Sequence, residues 1–166
     1  MISDAQKAAN AAGAIATGLL SLNIPVPLTT VQWADQHYYL PKESSYTPGK
    51  WETLPFQVAI MNSMGNDRIR TINLIKSARV GYTKMLLGVE AYFIEHKSRN
   101  SLLFQPTDSA AEDFMKSHVE PTIRDVPALL ELAPWFVRKH LDNTLTLKRF
   151  SSGVVFWCLG VAAAKN

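Results

Sequence analysis

The chain has 166 residues, 47% hydrophobic and 19% charged, which is the composition of a globular protein with one sizeable core. A formal charge of +3 and a pI of about 9.0 are too mild to indicate a dedicated nucleic-acid binder. The single cysteine, Cys158, excludes an internal disulfide and favours a reducing, intracellular location, and the four histidines lack metal-binding spacing. The apolar run 11–22 is too short for a membrane span and lacks the basic flank of a signal peptide, so no membrane association is expected.

The first third of the chain is predicted to be helical. Residues 3–22 are alanine-rich and helical in character, and the two prolines of "NIPVP" end that segment. Thr30 is expected to cap a helix that stops before the Leu40–Pro41 pair, and residues 41–50 form a polar loop. Pro55 opens a further helix that ends at Gly65.

Strands and helices then alternate. "RTINLI" (70–75) is predicted to be a buried strand, 83–95 a helix, and "SLLFQ" (101–105) a second strand. A capping box of Ser109 and Glu112 is expected to start the next helix, and Pro127 another. "TLTLKRF" and "VVFWCL" flank Ser151-Ser152-Gly153 and predict a hairpin. The alternation predicts an α/β fold with a mainly parallel sheet and flanking helices.

The stretch "NLIKSARVGYTK" (73–84) resembles a phosphate-binding loop with its lysine displaced. In the pattern G-x-x-x-x-G-K-[ST], Gly81 and Thr83 fill the second glycine and the hydroxyl positions. Tyr82 stands at the lysine position and Lys76 at the first glycine. Backbone N–H groups and the following helix supply most of the affinity for phosphate, so the loop can bind an anion without the usual lysine. A solvated surface turn is the competing interpretation, and the pattern alone does not choose between them.

Two lysines are candidates for the displaced cation. The flexible lysine stem reaches an anion from more than one anchoring position, so Lys76 at the start of the loop and Lys84 in the first helical turn both qualify, with Arg79 between them. Thr83 is the candidate hydroxyl ligand of Mg²⁺.

Four longer segments are specific enough to identify a family: "TVQWADQHYYLPKESSYTPGKWETLPFQVAIMNSMG", "KSARVGYTKMLLGVEAYFIEHK", "QPTDSAAEDFMKSHVEPTIRDVPALL" and "LTLKRFSSGVVFWCLG". In this order, from residue 30 onward, they resemble the ATPase domain of the large terminase subunit of lambda-type tailed phages. Such subunits cut viral DNA and, with a small DNA-recognising subunit, pump it into a procapsid using ATP.

The resemblance implies an ATP and Mg²⁺ site in a P-loop NTPase fold of the helicase-like kind. Its deviant Walker A loop consists of Lys76, Ser77, Ala78, Arg79, Val80, Gly81, Tyr82, Thr83 and Lys84. "WETLPFQ" resembles the adenine-reading segment, with the Gln57 amide facing the base edge and Tyr46 stacking on the base. Without the resemblance, the simpler interpretations are favoured: Gln57 as an exposed helix residue and Tyr46 as a loop side chain resting on the surface. "QPTD" (105–108) resembles a segment that faces nucleic acid, with a plain helix cap as the alternative.

The resemblance also divides the chain. Residues 1–27 form an arm that is expected to bind the small terminase subunit, and 28–166 form the front portion of the ATPase domain. Viral DNA is a further expected partner, the procapsid portal is one only for the full-length family member, and the host cytoplasm is the expected location.

The family's Walker B strand and nuclease domain are not found in these residues, so no catalytic residue is assigned. Whether the chain is itself an enzyme is therefore left open. A severed ATP-binding portion, a module that only binds the small subunit, and a non-functional prophage remnant are all compatible with the sequence. Without the later strands of the family's sheet, an apolar strand edge is expected to be left open, which predicts marginal stability and self-association.

Overall fold

The computed structural model describes residues 4–21, 27–42, 47–136 and 141–161. The helices are α1 (Asp4–Ser21), α2 (Thr30–His37), α3 (Pro55–Met64), α4 (Tyr82–Glu95), α5 (Asp108–Phe114), the π-helix Met115–Val119, α6 (Glu120–Asp125) and α7 (Pro127–Glu131). The strands are β1 (Tyr39–Leu40), β2 (Gly49–Lys50), β3 (Ser101–Gln105), β4 (Leu147–Arg149) and β5 (Val155–Gly160). The predicted α/β class is confirmed.

The larger sheet has three strands in the order β3-β5-β4. β3 runs parallel to β5, and β4 runs antiparallel to it, so the sheet is mixed where a mainly parallel one was predicted. The antiparallel strand belongs to the predicted hairpin, whose turn contains Gly153 at φ 85°. β1 and β2 form a separate antiparallel pair.

The predicted strand at 70–75 was wrong. In the structure these residues have no regular secondary structure: Ile72 is 38% and Ile75 100% exposed, while Leu74 is half-buried and packs against the core. A strand is stable only beside a neighbour that satisfies its backbone hydrogen bonds. β3 takes β5 as its neighbour, and none of the described strands pairs with 70–75. An apolar β-rich run therefore predicted a strand that has no partner in the described part of the chain.

Two helix starts differ from prediction by one or two residues. Thr29, not Thr30, is the N-cap of α2: its hydroxyl accepts the Gln32 N–H at 3.2 Å. Thr107, not Ser109, caps α5, and its hydroxyl accepts the Ala110 N–H at 3.2 Å. In each case the first suitable hydroxyl along the chain satisfies the exposed N–H groups, so the helix begins earlier.

Pro121 lies inside a continuous helical run, four residues before the run ends at Asp125. Pro121 cannot donate a backbone hydrogen bond, and its ring crowds the carbonyl four residues earlier. The π-helix Met115–Val119 stands directly before it, and this wider turn accommodates the proline without breaking the helix.

The core lies between the helices and one face of the larger sheet. Its largest buried aromatic side chains are Trp33, Tyr38, Trp51, Tyr92, Trp135, Phe150 and Phe156. Lys148 is also buried, at 1% exposure, where its ammonium donates to Glu120 Oε1 at 2.7 Å and to Asn143 Oδ1 at 2.5 Å. Over the described ranges, none of the helices combines the length and the apolar character needed to cross a membrane.

Candidate nucleotide-binding site

The loop before α4 has an unusual backbone. Arg79 at φ 62° and Gly81 at φ 74° both adopt the left-handed conformation, and α4 begins at the next residue. Glycine adopts this region freely, whereas for an arginine it costs about 1–2 kcal/mol. The two residues turn the chain sharply into the helix. A strained non-glycine residue at such a turn is typical of ligand-binding loops.

The start of α4 has polar groups to offer. In the described part of the chain, no side chain caps this helix. The N–H groups of Lys84 and Met85 both bond to the carbonyl of Gly81, which closes the first turn below the N-terminus. The first N–H groups of a helix have no partner inside it, and the helix dipole makes this end positive. An anion is therefore favoured at Tyr82 and Thr83.

Lys76 lies across the loop. Its ammonium stands 5.4 Å from the ring centroid of Tyr82, the first residue of α4, and donates weakly to the Ser77 carbonyl at 3.5 Å. The side chain is exposed and so available to a ligand. The lysine at the first position of the loop is thus held beside the helix start.

Lys84 faces a different environment. Its side chain is half-buried, and burial lowers the pKa of its ammonium. Burial, and then the nearby Lys84 charge, lower the pKa of His118 in the π-helix. Nδ1 of His118 is buried without a hydrogen-bond partner in the described structure. Sequence reasoning missed this neighbour because 34 positions separate it from Lys84 and no local pattern links them.

Gln57 is buried at 3% exposure, so the interpretation of an exposed helix residue was wrong. Its Oε1 accepts the Leu54 N–H at 2.9 Å and thereby caps α3. Its Nε2 faces the loop: a Cβ added to Gly81 would stand 3.8 Å from it. The structure therefore brings Gln57 together with the loop, while its contact with adenine stays a prediction.

The remaining predicted residues are less informative. Tyr46 lies outside the described residues. Thr83 is half-buried in the first turn of α4, and the loop residues Ser77 and Ala78 are exposed. Val80 is half-buried between the two left-handed residues. These observations leave the metal-binding role of Thr83 as a prediction.

The segment 105–108 has structural contacts. Thr107 caps α5, which confirms the helix-cap alternative, and Asp108 Oδ1 accepts the Gly160 N–H at 3.2 Å. In the hairpin, Lys148 is buried, and Arg149 pairs with Asp142 at 3.5 Å. Within the described ranges, no group of three His, Cys, Asp or Glu side chains is arranged to hold a metal ion.

Comparison with known proteins assigns the chain to a family. Residues 45–166 match the family described as phage terminase large subunit gpA, ATPase domain. The chain is 92% identical over its full length to the terminase large subunit of Enterobacteria phage P21, and 68% identical over 152 residues to that of Escherichia phage lambda. Protein TfaD of Escherichia coli K12 is 50% identical over 72 residues, which cover 40% of this chain and 38% of TfaD. No solved structure matches the chain.

The chain belongs to the ATPase-domain family of phage terminase large subunits, as its resemblance indicated. It spans only part of those proteins, covering 26% of the length of the P21 subunit and 24% of the lambda subunit. The activities and partners of the whole subunit are therefore not carried over to these residues directly.

Proposed function

We propose that this chain is the ATP-binding portion of a large terminase subunit that acts in viral DNA packaging. The observation that carries the proposal is the left-handed pair Arg79 and Gly81 directly before the N-terminus of α4, which no described side chain caps. This geometry suits a bound phosphate group, because the turn and the helix end both direct N–H groups toward an anion. Membership of an ATPase-domain family makes a nucleotide the fitting ligand.

The residues present fit a triphosphate and its metal ion. The N–H groups of Tyr82 and Thr83 would hold phosphate oxygens, and the hydroxyl of Thr83 would face Mg²⁺. When bound, Mg²⁺ neutralises phosphate charge and orients the terminal phosphoryl group. Gln57 would support the loop from beneath through its Nε2, which lies beside Gly81.

Lys76 is the better candidate for the displaced lysine. Its exposed ammonium lies beside the first residue of α4, close to where a phosphate would bind. Lys84 is half-buried, and the lowered pKa of its ammonium reflects burial away from solvent. The proposed site therefore takes its cation from the start of the loop and its hydroxyl from the start of the helix.

The proposed biological setting is that of the family. A small terminase subunit, viral DNA and, for the whole subunit, the procapsid portal are the proposed partners, and the host cytoplasm is the proposed location. The helicase-like P-loop fold is likewise proposed, supported by the α/β architecture and by the loop geometry before α4.

The test is a titration of the purified chain with a fluorescent ATP analogue and Mg²⁺, with phosphate release followed in the same samples. Saturable binding that unlabelled ATP displaces is expected. Phosphate release measures hydrolysis separately from binding. A chain that circular dichroism shows to be folded, yet binds no nucleotide, would refute the proposal.

A second candidate function is suggested by α1. Its described side chains, including Ile15, are exposed, and an exposed alanine-rich helix is suited to packing against another helix. We propose the small terminase subunit as its partner. Deleting residues 1–22 should abolish binding of the small subunit without changing nucleotide affinity, and binding that survives the deletion would exclude this role.

A further inference from the structure

A polar cleft lies at the C-terminal end of α4, away from the proposed nucleotide loop. Its volume is about 490 Å³, which is in the size range of small-molecule sites. Its walls come from the start of α2, from the end of α3 and the turn that follows, and from the last part of α4 and the residues after it. Because α4 has 14 residues, about 20 Å of helix separates the cleft from the loop.

The start of α2 is fixed at one edge of the cleft. The backbone of Leu28 is held by α4: its N–H donates to Nε2 of His96 at 3.0 Å, and its carbonyl accepts the Tyr92 hydroxyl at 3.0 Å. Thr30 is the first residue of α2, and no described residue accepts its backbone N–H. The helix therefore presents a donor and its positive dipole end to the cleft.

The side chain of Thr30 is a buried polar group without a partner. Thr30 is 2% exposed and lines the cleft, and its Oγ1 has no hydrogen-bond partner in the described structure. Gly65 lies against this hydroxyl, because a Cβ added to Gly65 would overlap Oγ1. A buried hydroxyl without a partner costs free energy, which an acceptor brought into the cleft would recover. The cleft therefore offers a second donor beside the helix start.

Two side-chain amides add further donors. Asn62 accepts the Val31 N–H through its Oδ1 at 3.3 Å. Asn66 accepts the Arg68 N–H through its Oδ1 at 3.0 Å. Because both oxygens are engaged with the backbone, the NH₂ groups are the polar ends that remain for a ligand.

The charges around the cleft favour an anion. Asp67 is the one carboxylate among the described residues that line it, and its oxygens pair with Lys97 at 3.2 Å and with Arg99 at 2.9 Å. Arg68 is exposed, and the described structure shows no ion pair for it. One negative charge thus lies among three positive ones, which leaves the surroundings of the cleft positive.

We propose that this cleft binds the phosphate group of a nucleotide unit. Its polar atoms are mainly donors and cations, and a phosphate supplies both negative charge and several acceptor oxygens. The N–H of Thr30 and the guanidinium of Arg68 are the assigned phosphate ligands. The cleft is larger than a phosphate ion, and Leu28 and Tyr92 provide an apolar wall for the attached group. The unit belongs either to a free nucleotide or to a DNA strand, which share this phosphate chemistry.

NMR spectra of the ¹⁵N-labelled chain locate binding residue by residue. AMP and a short DNA duplex are titrated separately at fixed ionic strength. At least one probe should saturably shift the backbone amide signal of Thr30 and the side-chain amide signal of Asn62. A shift with AMP assigns a free nucleotide, and a shift with the duplex alone assigns a DNA strand. If neither probe shifts these signals, the proposal is wrong. Lys76→Ala should leave the shifts unchanged, so this test is independent of the nucleotide loop.

Two pairs of variants test the assigned donors. Arg68→Ala should weaken binding at least tenfold, whereas Arg124→Ala, which removes an exposed arginine from α6, should change it less than twofold. Thr30→Val removes the hydroxyl and should weaken binding at least threefold, whereas Thr30→Ser keeps the hydroxyl and the affinity. Thr30→Val should not lower the Tm, because Oγ1 has no partner to lose. Equal affinities within either pair would overturn the assignment.

Discussion

The side-chain amide of Gln57 links the start of α3 to the turn before α4. Its Oε1 accepts the Leu54 N–H at 2.9 Å, while its Nε2 would be in van der Waals contact, at 3.8 Å, with a Cβ added to Gly81. A buried amide that accepts a hydrogen bond at one end and lies beside the loop at the other couples a helix cap to a loop. The proposed phosphate loop therefore depends on a residue 24 positions earlier in the chain.

Replacing Gln57 with methionine tests this link. Gln57→Met keeps the side-chain volume but leaves the Leu54 N–H without its acceptor, which should cost about 1–2 kcal/mol of unfolding free energy. Affinity for the ATP analogue should fall at least fivefold. Thr29→Ala removes the comparable cap of α2 and should cost a similar stability without changing the affinity. Equal effects of both variants on affinity would mean that the loop responds only to stability.

Gly81→Ala tests the backbone conformation of the loop. A left-handed alanine costs about 1–2 kcal/mol, so the variant should either lose that stability or relax the turn. Gly153→Ala is the matched control, because Gly153 has a similar φ of 85° in the hairpin and no atoms crowd its Cβ position. Both variants should melt at lower temperature, and only Gly81→Ala should weaken nucleotide binding. Unchanged nucleotide binding by Gly81→Ala would mean that binding does not depend on the conformation of this turn.

The two lysines are distinguished by single substitutions. Lys76→Ala should weaken binding of the ATP analogue at least tenfold, because an exposed ammonium beside the helix start is lost. Lys84→Ala should weaken it less than threefold, and Lys116→Ala, which removes an exposed lysine paired with Glu112, should have no effect. The affinities are measured at fixed ionic strength, since surface charge effects are screened by salt. A larger loss of affinity in Lys84→Ala than in Lys76→Ala would mean that Lys84, in α4, supplies the cation of the site.

Glu90 provides a test of stability against pH. Its Oε2 is buried without a partner in the described structure, although the residue as a whole is partly exposed. Burial raises the pKa of its carboxyl above the ordinary value of 4.5, opposed by a hydrogen bond from Ser101. Between the two pKa values the folded chain binds more protons than the unfolded chain, so the contribution of Glu90 to stability is lost as pH rises through that range.

Glu90→Gln should therefore stabilise the chain at pH 7, by about 1 kcal/mol, because no charge is buried. The gain should shrink toward zero below pH 4.5, where the carboxyl is protonated in both states. Urea unfolding at a series of pH values measures this difference. A gain that does not depend on pH would show that the charge of Glu90 is not its cause.

The buried side chain of Lys148 is expected to stabilise the fold. Its ammonium donates to Glu120, Asn143 and the Thr144 carbonyl, and lies 6.0 Å from the Trp135 ring. Lys148→Ala should cost about 2–4 kcal/mol through lost packing and hydrogen bonds, whereas Lys148→Met, which keeps the apolar stem, should cost less. Thermal melts measure both. A loss below 1 kcal/mol for Lys148→Ala would mean that the cluster contributes little.

Local chemistry was sufficient to predict much of the fold. The segment SLLFQ forms β3 at the predicted residues. Helix α3 begins at Pro55 and is followed by Gly65, as predicted, and the Ser-Ser-Gly turn joins the two strands of the predicted hairpin. Each of these features depends on backbone preferences or short-range alternation, which adjacent residues encode. The family, too, was identified from the order of its segments.

Features that depend on distant neighbours were decided by the tertiary structure. Residues 70–75 have the composition of a strand, yet pairing depends on a second segment, and β3 pairs with β5 instead. Nothing in the residues next to Lys148 indicates burial, but the fold places Glu120 and Asn143 around its ammonium.

For the candidate site, the sequence by itself determined that a glycine precedes a helix with a hydroxyl in its first turn, and that lysines flank the loop. Only the tertiary structure brought Gln57 beside Gly81 and turned Lys84 toward the π-helix of His118. The physical reason is that a turn is a property of a few consecutive residues, whereas burial and proximity are properties of the packed chain as a whole.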